Sequence, residues 1–346
     1  MGSAATARAR IALERLTDDE LLEFRLCDLP VRIEGTHLED RVEQLYAELE
    51  ERGLRFRPHV WLSEEWFSPD GVPGFAIPFY LAHPRLMRLE RRQMLEVEGG
   101  TAKECMGIMR HESAHALDNA FRFRSRRRWR ELFGLFSQPY PQSYQPEPTS
   151  RAFVLHLGAW YAQAHPAEDF AETFAVWLAS PPSRWRRRYM GWAALQKLEY
   201  VNRMAEGVAG LAPKNRRRDL VRPLAELKMT LREHYRRKRE YYAVGLPTNY
   251  DRDLKRIFPA ASRNEGLQAA SGFLRSIRRE LVQAVAEGTG VHQYTIDQIL
   301  LKMIDRCKVM RLRLAATEEQ AGRRVLVMLT VQTSNVIHTG YHRIAL

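Results

Sequence analysis

The sequence between positions 106 and 118 is Met106-Gly-Ile-Met-Arg-His111-Glu112-Ser-Ala-His115-Ala-Leu-Asp118, and it contains the pattern His-Glu-x-x-His. The surrounding stretch, 101–121, has the pattern of a helix. Positions i and i+4 lie on one face of a helix, so His111 and His115 point the same way. Two imidazoles at this spacing can bind one zinc ion, and Glu112 at the rim of that face can hold and deprotonate a zinc-bound water. The stretch therefore predicts a zinc-binding helix that carries its own general base.

Length and composition allow a folded protein of one large or two smaller domains. The chain has 346 residues, of which 45% are hydrophobic. No apolar run approaches the roughly 20 residues that span a membrane, and no signal-peptide core is present, so we expect a cytoplasmic protein. Cys27, Cys105 and Cys307 are few and scattered, which favours neither a disulfide framework nor a cysteine zinc site.

The chain is strongly basic, with a formal net charge of +12. A basic protein can bind an acidic partner, either nucleic acid or an acidic peptide. The excess of Arg over Lys, 46 to 8, is also what a GC-rich genome would produce on ordinary solvated helix faces. We do not expect nucleic acid as a partner, because no recognisable nucleic-acid-binding module is present.

Before the zinc helix, the sequence predicts two helices and two strands. Thr17-Asp-Asp-Glu20 is typical of a capping box that starts a short helix, and apolar residues recur at helical spacing from 37 to 52. Alternation predicts strands at 54–62 and 74–81, and Pro58 and Pro78 favour sheet edges. An edge strand beside the active-site helix could pair with an extended substrate, although it could equally be a plain edge.

A second informative stretch is Trp160-Tyr161-Ala-Gln-Ala-His165-Pro-Ala-Glu168-Asp169-Phe-Ala-Glu172-Thr-Phe174-Ala-Val-Trp177-Leu178. Proline suits the first position of a helix, and acidic residues in the first turn complement the helix dipole. Glu168 and Glu172 share one face, and apolar residues cover the opposite side. Solvent exposure and the dipole would explain one carboxylate, but a zinc helix upstream that lacks its third ligand favours a role in metal binding.

A catalytic zinc site has three protein ligands and one open position. The metzincin extension after the second histidine is absent, because Asp118 and Phe121 occupy its positions. The remaining candidates for the third ligand are His165, Glu168, Asp169 and Glu172. Glu168 with Glu172 matches a site in which one carboxylate binds the metal and its neighbour orients a ligating histidine. Asp118 lies on the face of the two histidines, and either orients a metal-binding histidine or is an ordinary exposed residue.

His111-Glu-Ser-Ala-His115 together with Glu168-Asp-Phe-Ala-Glu172-Thr-Phe174 resembles the gluzincin metallopeptidases. Within them, the pattern is most similar to the anthrax lethal factor-type domain and to bacterial zinc-binding metallopeptidases. The resemblance implies that Glu168 binds zinc and that Tyr161, seven residues earlier, assists the oxyanion. It covers roughly residues 55–200 and leaves the C-terminal third unmatched.

The resemblance and the motif together imply a zinc-dependent peptidase of α+β fold. We expect a mainly helical, zincin-like domain at 54–212 with a small sheet beside the zinc helix, preceded by a helical segment at 1–53. Glu112 would act as general base, and the +12 charge favours acidic peptides as substrates. The loop at 137–150, rich in Pro and Tyr, is either a lid over the site or a spacer.

The remaining region, 213–346, is expected to be mostly helical and to end in β-strands. Helices are predicted at 185–209, 219–243, 262–287 and 292–314, and a terminal hairpin is predicted from the β-rich stretches 324–332 and 336–344. The alternative to an enzyme is a non-catalytic zinc protein that binds an acidic partner through its basic surface. An intact Glu112 favours the enzyme, because a structural zinc site needs no such carboxylate and has four protein ligands.

Overall fold

The computed structural model describes residues 13–141, 143–243, 250–260 and 266–338. Its N-terminal part begins with α1 (Asp18–Leu22) and α2 (His37–Glu51). The predicted capping box is present at the start of α1, where Thr17 and Glu20 exchange side-chain and backbone hydrogen bonds. The apolar stripe of α2 is buried, which confirms the helical spacing that predicted it.

A two-stranded parallel sheet follows, formed by β1 (His59–Ser63) and β2 (Gly74–Pro78). Both strands are shorter than predicted, because Pro58 precedes β1 and the chain turns into a 3₁₀ segment at Phe79–Ala82. In the register His59 pairs with Gly74. A Cβ at Gly74 would lie 2.4 Å from the His59 carbonyl oxygen, so only glycine fits this pairing.

Strand β2 is fully buried and packs against the helix that carries His111 and His115. Its second edge is partly covered, since the Ala76 N–H donates to the Phe67 carbonyl oxygen (2.8 Å) in an antiparallel bridge. One hypothesis from the sequence is that an extended substrate pairs with the free edge of β2. The segment around Phe67 occupies part of that edge. Substrate pairing along the whole of that edge would require this segment to move.

The central helices are α3 (Pro84–Met94), α4 (Ala102–Phe121), α5 (Arg127–Phe133), α6 (Pro166–Ala179), α7 (Pro182–Arg188) and α8 (Ala194–Glu206). Helix α4 starts at a capping box on Thr101 and ends where Arg122 adopts a left-handed conformation (φ 57°). Helix α6 packs along α4 and is buried at every position from 166 to 178. The helix predicted over 185–209 is two helices, because the chain turns at Gly191 (φ +77°).

The C-terminal part contains α9 (Leu231–Tyr242), α10 (Asp251–Ile257), α11 (Ala270–Ser276), α12 (Arg278–Thr289), α13 (Gln293–Val309) and α14 (Glu318–His338). Helix α9 starts twelve residues later than predicted, since residues 219–222 instead lie along β1. There, Trp61 Nε1 donates to the Val221 carbonyl (3.0 Å) and Ser63 Oγ donates to the Arg222 carbonyl (2.7 Å). These contacts tie the segment predicted to be helical to the sheet.

The predicted β-strand at 324–332 is wrong, because α14 runs through this stretch without interruption. Its Val and Thr content favours a strand, but its buried residues follow a helical period. Those buried residues are Ala321, Val325, Met328, Leu329, Thr333 and Val336. The second half of the predicted hairpin, from 339 onwards, lies outside the described residues.

Two large hydrophobic cores divide most of the described chain, beside a small cluster of Trp61, Val72 and Ala76 at the sheet. The first takes residues from Leu13 to Tyr235 and includes the sheet and the central helices, and the second takes residues from Tyr250 to Val336. Mostly helical α+β architecture with a small sheet is thus confirmed, whereas the domain limits at 53 and 212 stay predictions. Among the described residues, no helix combines the length and apolar character needed to cross a membrane.

Candidate metal centre

Helix α4 brings the two histidines of the motif together. His111 and His115 lie one turn apart, with ring centroids separated by 4.9 Å and Nε2 atoms separated by 3.1 Å. His111 is buried and His115 is half-buried. Both Nε2 atoms therefore face one point on the surface of α4, as the i, i+4 spacing predicts.

Helix α6 supplies a carboxylate to the same point. Glu168 Oε2 lies 2.9 Å from His111 Nε2 and 3.4 Å from His115 Nε2. Within the described residues, these three side chains form the only group of His, Cys, Asp and Glu whose potential ligand atoms all lie within 4.8 Å of one another. A tetrahedral zinc ion with bonds of about 2.0–2.1 Å separates its ligands by about 3.3–3.4 Å. The donor types and spacing therefore fit zinc, after small outward shifts of the closest pairs.

The His111 ring is held on both sides. Its Nδ1 lies 2.8 Å from Glu172 Oε1, and the other oxygen of Glu172 accepts a hydrogen bond from the Leu157 N–H (2.8 Å). Burial alone would lower the pKa of His111, but hydrogen bonds and charge from Glu168 and Glu172 raise it well above its usual range. The Glu172 carboxylate therefore faces Nδ1 and the Glu168 carboxylate faces Nε2, so that the ring is fixed in orientation between them.

The other candidates for the third ligand lie in different environments. His165 caps α6, with Nδ1 accepting the Ala167 N–H (3.1 Å). Asp169 points to the opposite side, where its carboxylate lies 2.5 Å from Lys197 Nζ. Glu172 contacts His111 at the nitrogen remote from His115. Of the four alternatives from the sequence, only Glu168 lies beside both histidines.

A cavity of about 460 Å³ opens over the three ligand atoms. Glu112 lines it, and the side chain is only 8% exposed, with no hydrogen-bond partner for Oε2 in the described structure. Burial raises the pKa of Glu112 above its ordinary value, and the nearby histidines oppose this effect. A buried carboxylate oxygen without a partner, beside three potential metal ligands, is arranged to accept a proton from a small molecule in the cavity.

Tyr161 also lines the cavity, with its ring centroid 5.5 Å from that of His111. The two preceding residues, Ala159 and Trp160, both have positive φ values (54° and 53°), which is uncommon for residues with a side chain. Tyr144 OH donates to the Ala159 carbonyl (2.5 Å) and supports this turn. Strained backbone of this kind is concentrated at functional sites, and here it precedes the aromatic side chain in the cavity.

Tyr140 was not identified as a site residue from the sequence. Its hydroxyl donates to Glu168 Oε1 (2.7 Å), and its ring stacks on His165 (centroids 3.8 Å apart). Together with Gln138 and Pro139 it forms one wall of the cavity. The only signal in the sequence is the Tyr-rich and Pro-rich composition of the loop 137–150, which fits a lid over the site and a plain spacer equally well. Gln142, in the middle of that loop, is outside the described residues.

Asp118 contacts an arginine instead of a histidine. Its carboxylate accepts hydrogen bonds from the Arg124 backbone N–H (2.8 Å) and from the Arg124 guanidinium. That guanidinium also pairs with Asp70 (2.5 Å) and lies over the Phe136 ring (3.6 Å). Asp118 therefore positions the one arginine that lines the described cavity.

Comparison with known proteins agrees with this geometry over the central part of the chain. Residues 85–204 match the model of a family described as "putative zinc-binding metallo-peptidase". The matched segment contains both histidines, Glu112 and the carboxylates of α6. No curated protein and no solved structure matches the chain. The family match supports a metallopeptidase. It does not cover helices α1 and α2 or the C-terminal helices α9 to α14.

Proposed function

We propose that this protein is a zinc-dependent metallopeptidase that hydrolyses a peptide or amide bond. The observation that carries the proposal is the convergence of His111, His115 and Glu168, whose nearest atoms are 2.9–3.4 Å apart, at the floor of an open cavity. Three protein ligands and an open side are typical of a catalytic rather than a structural zinc site. The family match over 85–204 supports the same class.

His111, His115 and Glu168 would hold the ion. Zinc in such a site supplies Lewis acidity towards the scissile carbonyl and towards water. Glu172 orients His111 through Nδ1, and Tyr140 orients Glu168 through Oε1, so each of these two ligands has a partner on its far side. The proposed third ligand is a glutamate on a helix that follows the motif helix. On this basis we propose that the site is of the gluzincin type and that the domain is zincin-like.

Glu112 is proposed as the general base. It lines the cavity with an unpartnered carboxylate oxygen, and its raised pKa makes it a stronger base than an exposed glutamate. In this role Glu112 takes a proton from the attacking water and then delivers it to the leaving amine. Tyr161 stays neutral at pH 7, because burial raises its pKa, and a neutral phenol can donate a hydrogen bond to the developing oxyanion.

The preference for acidic substrates rests on the net charge alone. Arg124, the one arginine lining the described cavity, which has no lysine, is already paired with Asp118 and Asp70. A preference for acidic peptides would therefore have to come from charges outside the cavity. Cleavage of a peptide library by the wild-type protein tests this directly, since a preference for basic peptides contradicts it.

The experiment that tests the function compares wild type with Glu112→Gln. A matched control is Glu43→Gln, the same change at an exposed glutamate on α2. We expect one zinc per chain in all three proteins, and loss of peptide-library cleavage by at least about 100-fold in Glu112→Gln only. Full hydrolysis by Glu112→Gln would contradict the base assignment. Zinc in all three proteins without cleavage in any would favour the non-catalytic zinc protein.

A further inference from the structure

A second cavity, of about 660 Å³, lies between α3 and the helices α11, α12 and α13. Its lining contains four arginines and one carboxylate: Arg91, Arg275, Arg278, Arg279 and Asp297. None of the residues lining this cavity also lines the cavity of the candidate metal centre. It is therefore a separate site, formed between the segment that matches the metallopeptidase family and the C-terminal helices.

The charge in this cavity is not balanced by the protein. Arg278 forms two hydrogen bonds of 2.5 Å with the buried Asp297, so this pair is neutral. The other three arginines are exposed, and no ion pair or hydrogen bond to them is present in the described part of the chain. Four arginines and one aspartate leave a net charge of +3 around one concave surface.

This arrangement has an electrostatic cost in the absence of a ligand. Arg91 comes from α3, Arg275 from α11 and Arg279 from α12, so folding brings together three like charges from separate elements. Exposed arginines elsewhere on the protein are often paired, such as Arg186 with Glu199 (2.6 Å). A bound anion would offset the repulsion among the three.

We propose that this cavity binds a small organic phosphate. The planar fork of a guanidinium matches phosphate oxygens, and several arginines around one cavity suit a group with two negative charges. A volume of about 660 Å³ is within the range of small-molecule sites. Leu95 and Val282 provide apolar contact for the organic part of the ligand. Nucleic acid would instead favour arginines spread along a surface.

Isothermal titration calorimetry with ribose 5-phosphate and fructose 1,6-bisphosphate tests the site. The variant is Arg275→Gln/Arg279→Gln, and the control is Arg184→Gln/Arg187→Gln, which removes the same charge from two exposed arginines on α7 without ion-pair partners in the described structure. We expect wild type to bind at least one sugar phosphate, the cavity variant to bind it at least about 30-fold more weakly, and the control to bind within about twofold of wild type.

Several outcomes would overturn the proposal. It fails if wild type binds neither sugar phosphate, or if the control variant loses as much affinity as the cavity variant. It also fails if the cavity variant binds as tightly as wild type, or if wild type binds a hexaglutamate peptide more tightly than either sugar phosphate. Arg91→Gln, from a different helix, checks the result independently of the fold of α11 and α12 and should also weaken binding. Zinc content is measured in every protein, so that the test stays separate from the proposed peptidase activity.

Discussion

Glu172 Oε1 lies 2.8 Å from His111 Nδ1, while the Oε2 of Glu168 lies 2.9 Å from Nε2 of the same ring. Two carboxylates one turn apart on α6 thus contact the two nitrogens of a single imidazole. A carboxylate at Nδ1 selects the tautomer whose Nε2 can bind a metal and increases its basicity. The pairing explains why an almost completely buried helix carries two glutamates.

Replacing Glu172 by Gln should weaken zinc binding without abolishing it. The amide can still contact His111, but it no longer favours the metal-binding tautomer, so we expect affinity to fall about 10–100-fold. Competition with a fluorescent zinc chelator measures the change. The reference is Glu168→Gln, which alters a proposed ligand and should reduce affinity further. Equal affinities of Glu172→Gln and wild type would remove Glu172 from the site.

The Tyr140→Phe variant tests whether the loop residue supports Glu168. Loss of the 2.7 Å hydrogen bond to Glu168 Oε1 should reduce zinc affinity about 10-fold, with little change in melting temperature because Tyr140 is 51% exposed. Tyr46→Phe, which removes a hydroxyl bonded to the Pro58 carbonyl (2.6 Å), is the control for loss of a phenol away from the site. Unchanged zinc affinity in Tyr140→Phe would show that the contact does not support the ligand.

Tyr161→Phe should affect turnover rather than zinc. Removing a donor to the oxyanion costs about 100–1,000-fold in kcat, whereas the aromatic packing beside His111 is retained. Steady-state kinetics on a peptide identified from the library, combined with zinc analysis, separates the two effects. If kcat stays at the wild-type value, the role that the family resemblance implies for Tyr161 is wrong.

The stability of the protein should depend on Glu98. Burial raises the pKa of this carboxyl to about 7, despite the nearby Lys238, and Glu65, Glu90 and Glu96 raise it further. A folded-state pKa above the unfolded value means that the folded protein binds more protons between about pH 4.5 and 7, so stability falls as pH rises through this window.

The variant Glu98→Gln removes this ionisation. We expect it to be about 1 kcal/mol more stable than wild type at pH 8, a value reduced for partial solvent exposure, and to approach wild type at about pH 4, where Glu98 is largely protonated in both the folded and the unfolded state. Urea unfolding at the two pH values measures the difference. The same stability gap at both values would exclude ionisation as the cause.

Local rules predicted the helix that carries His111 and His115. The i, i+4 spacing of His111 and His115 depends on contacts within a few residues and is present in α4, and the capping box predicted at Thr17 is present at the start of α1. The strand predicted at 324–332 is wrong because its β-branched residues favour a strand, whereas the four-residue spacing of Val325, Leu329 and Thr333, all of which α14 buries, is that of a helix. Whether such a stretch is helical or extended depends on its burial against neighbouring helices, which amino-acid composition alone does not reveal.

By itself, the sequence determined the two histidines, the adjacent Glu112 and the set of candidates for a third ligand. Residue spacing alone left His165, Glu168, Asp169 and Glu172 open, because their distances from α4 depend on how α6 is rotated against it, and the family resemblance pointed to Glu168. Tertiary packing buries α6 along α4 and places Glu168, but not the other three, beside both Nε2 atoms. It also brought Tyr140 to Glu168 from 28 residues away, a contact that depends on the path of a loop and that no periodic pattern encodes.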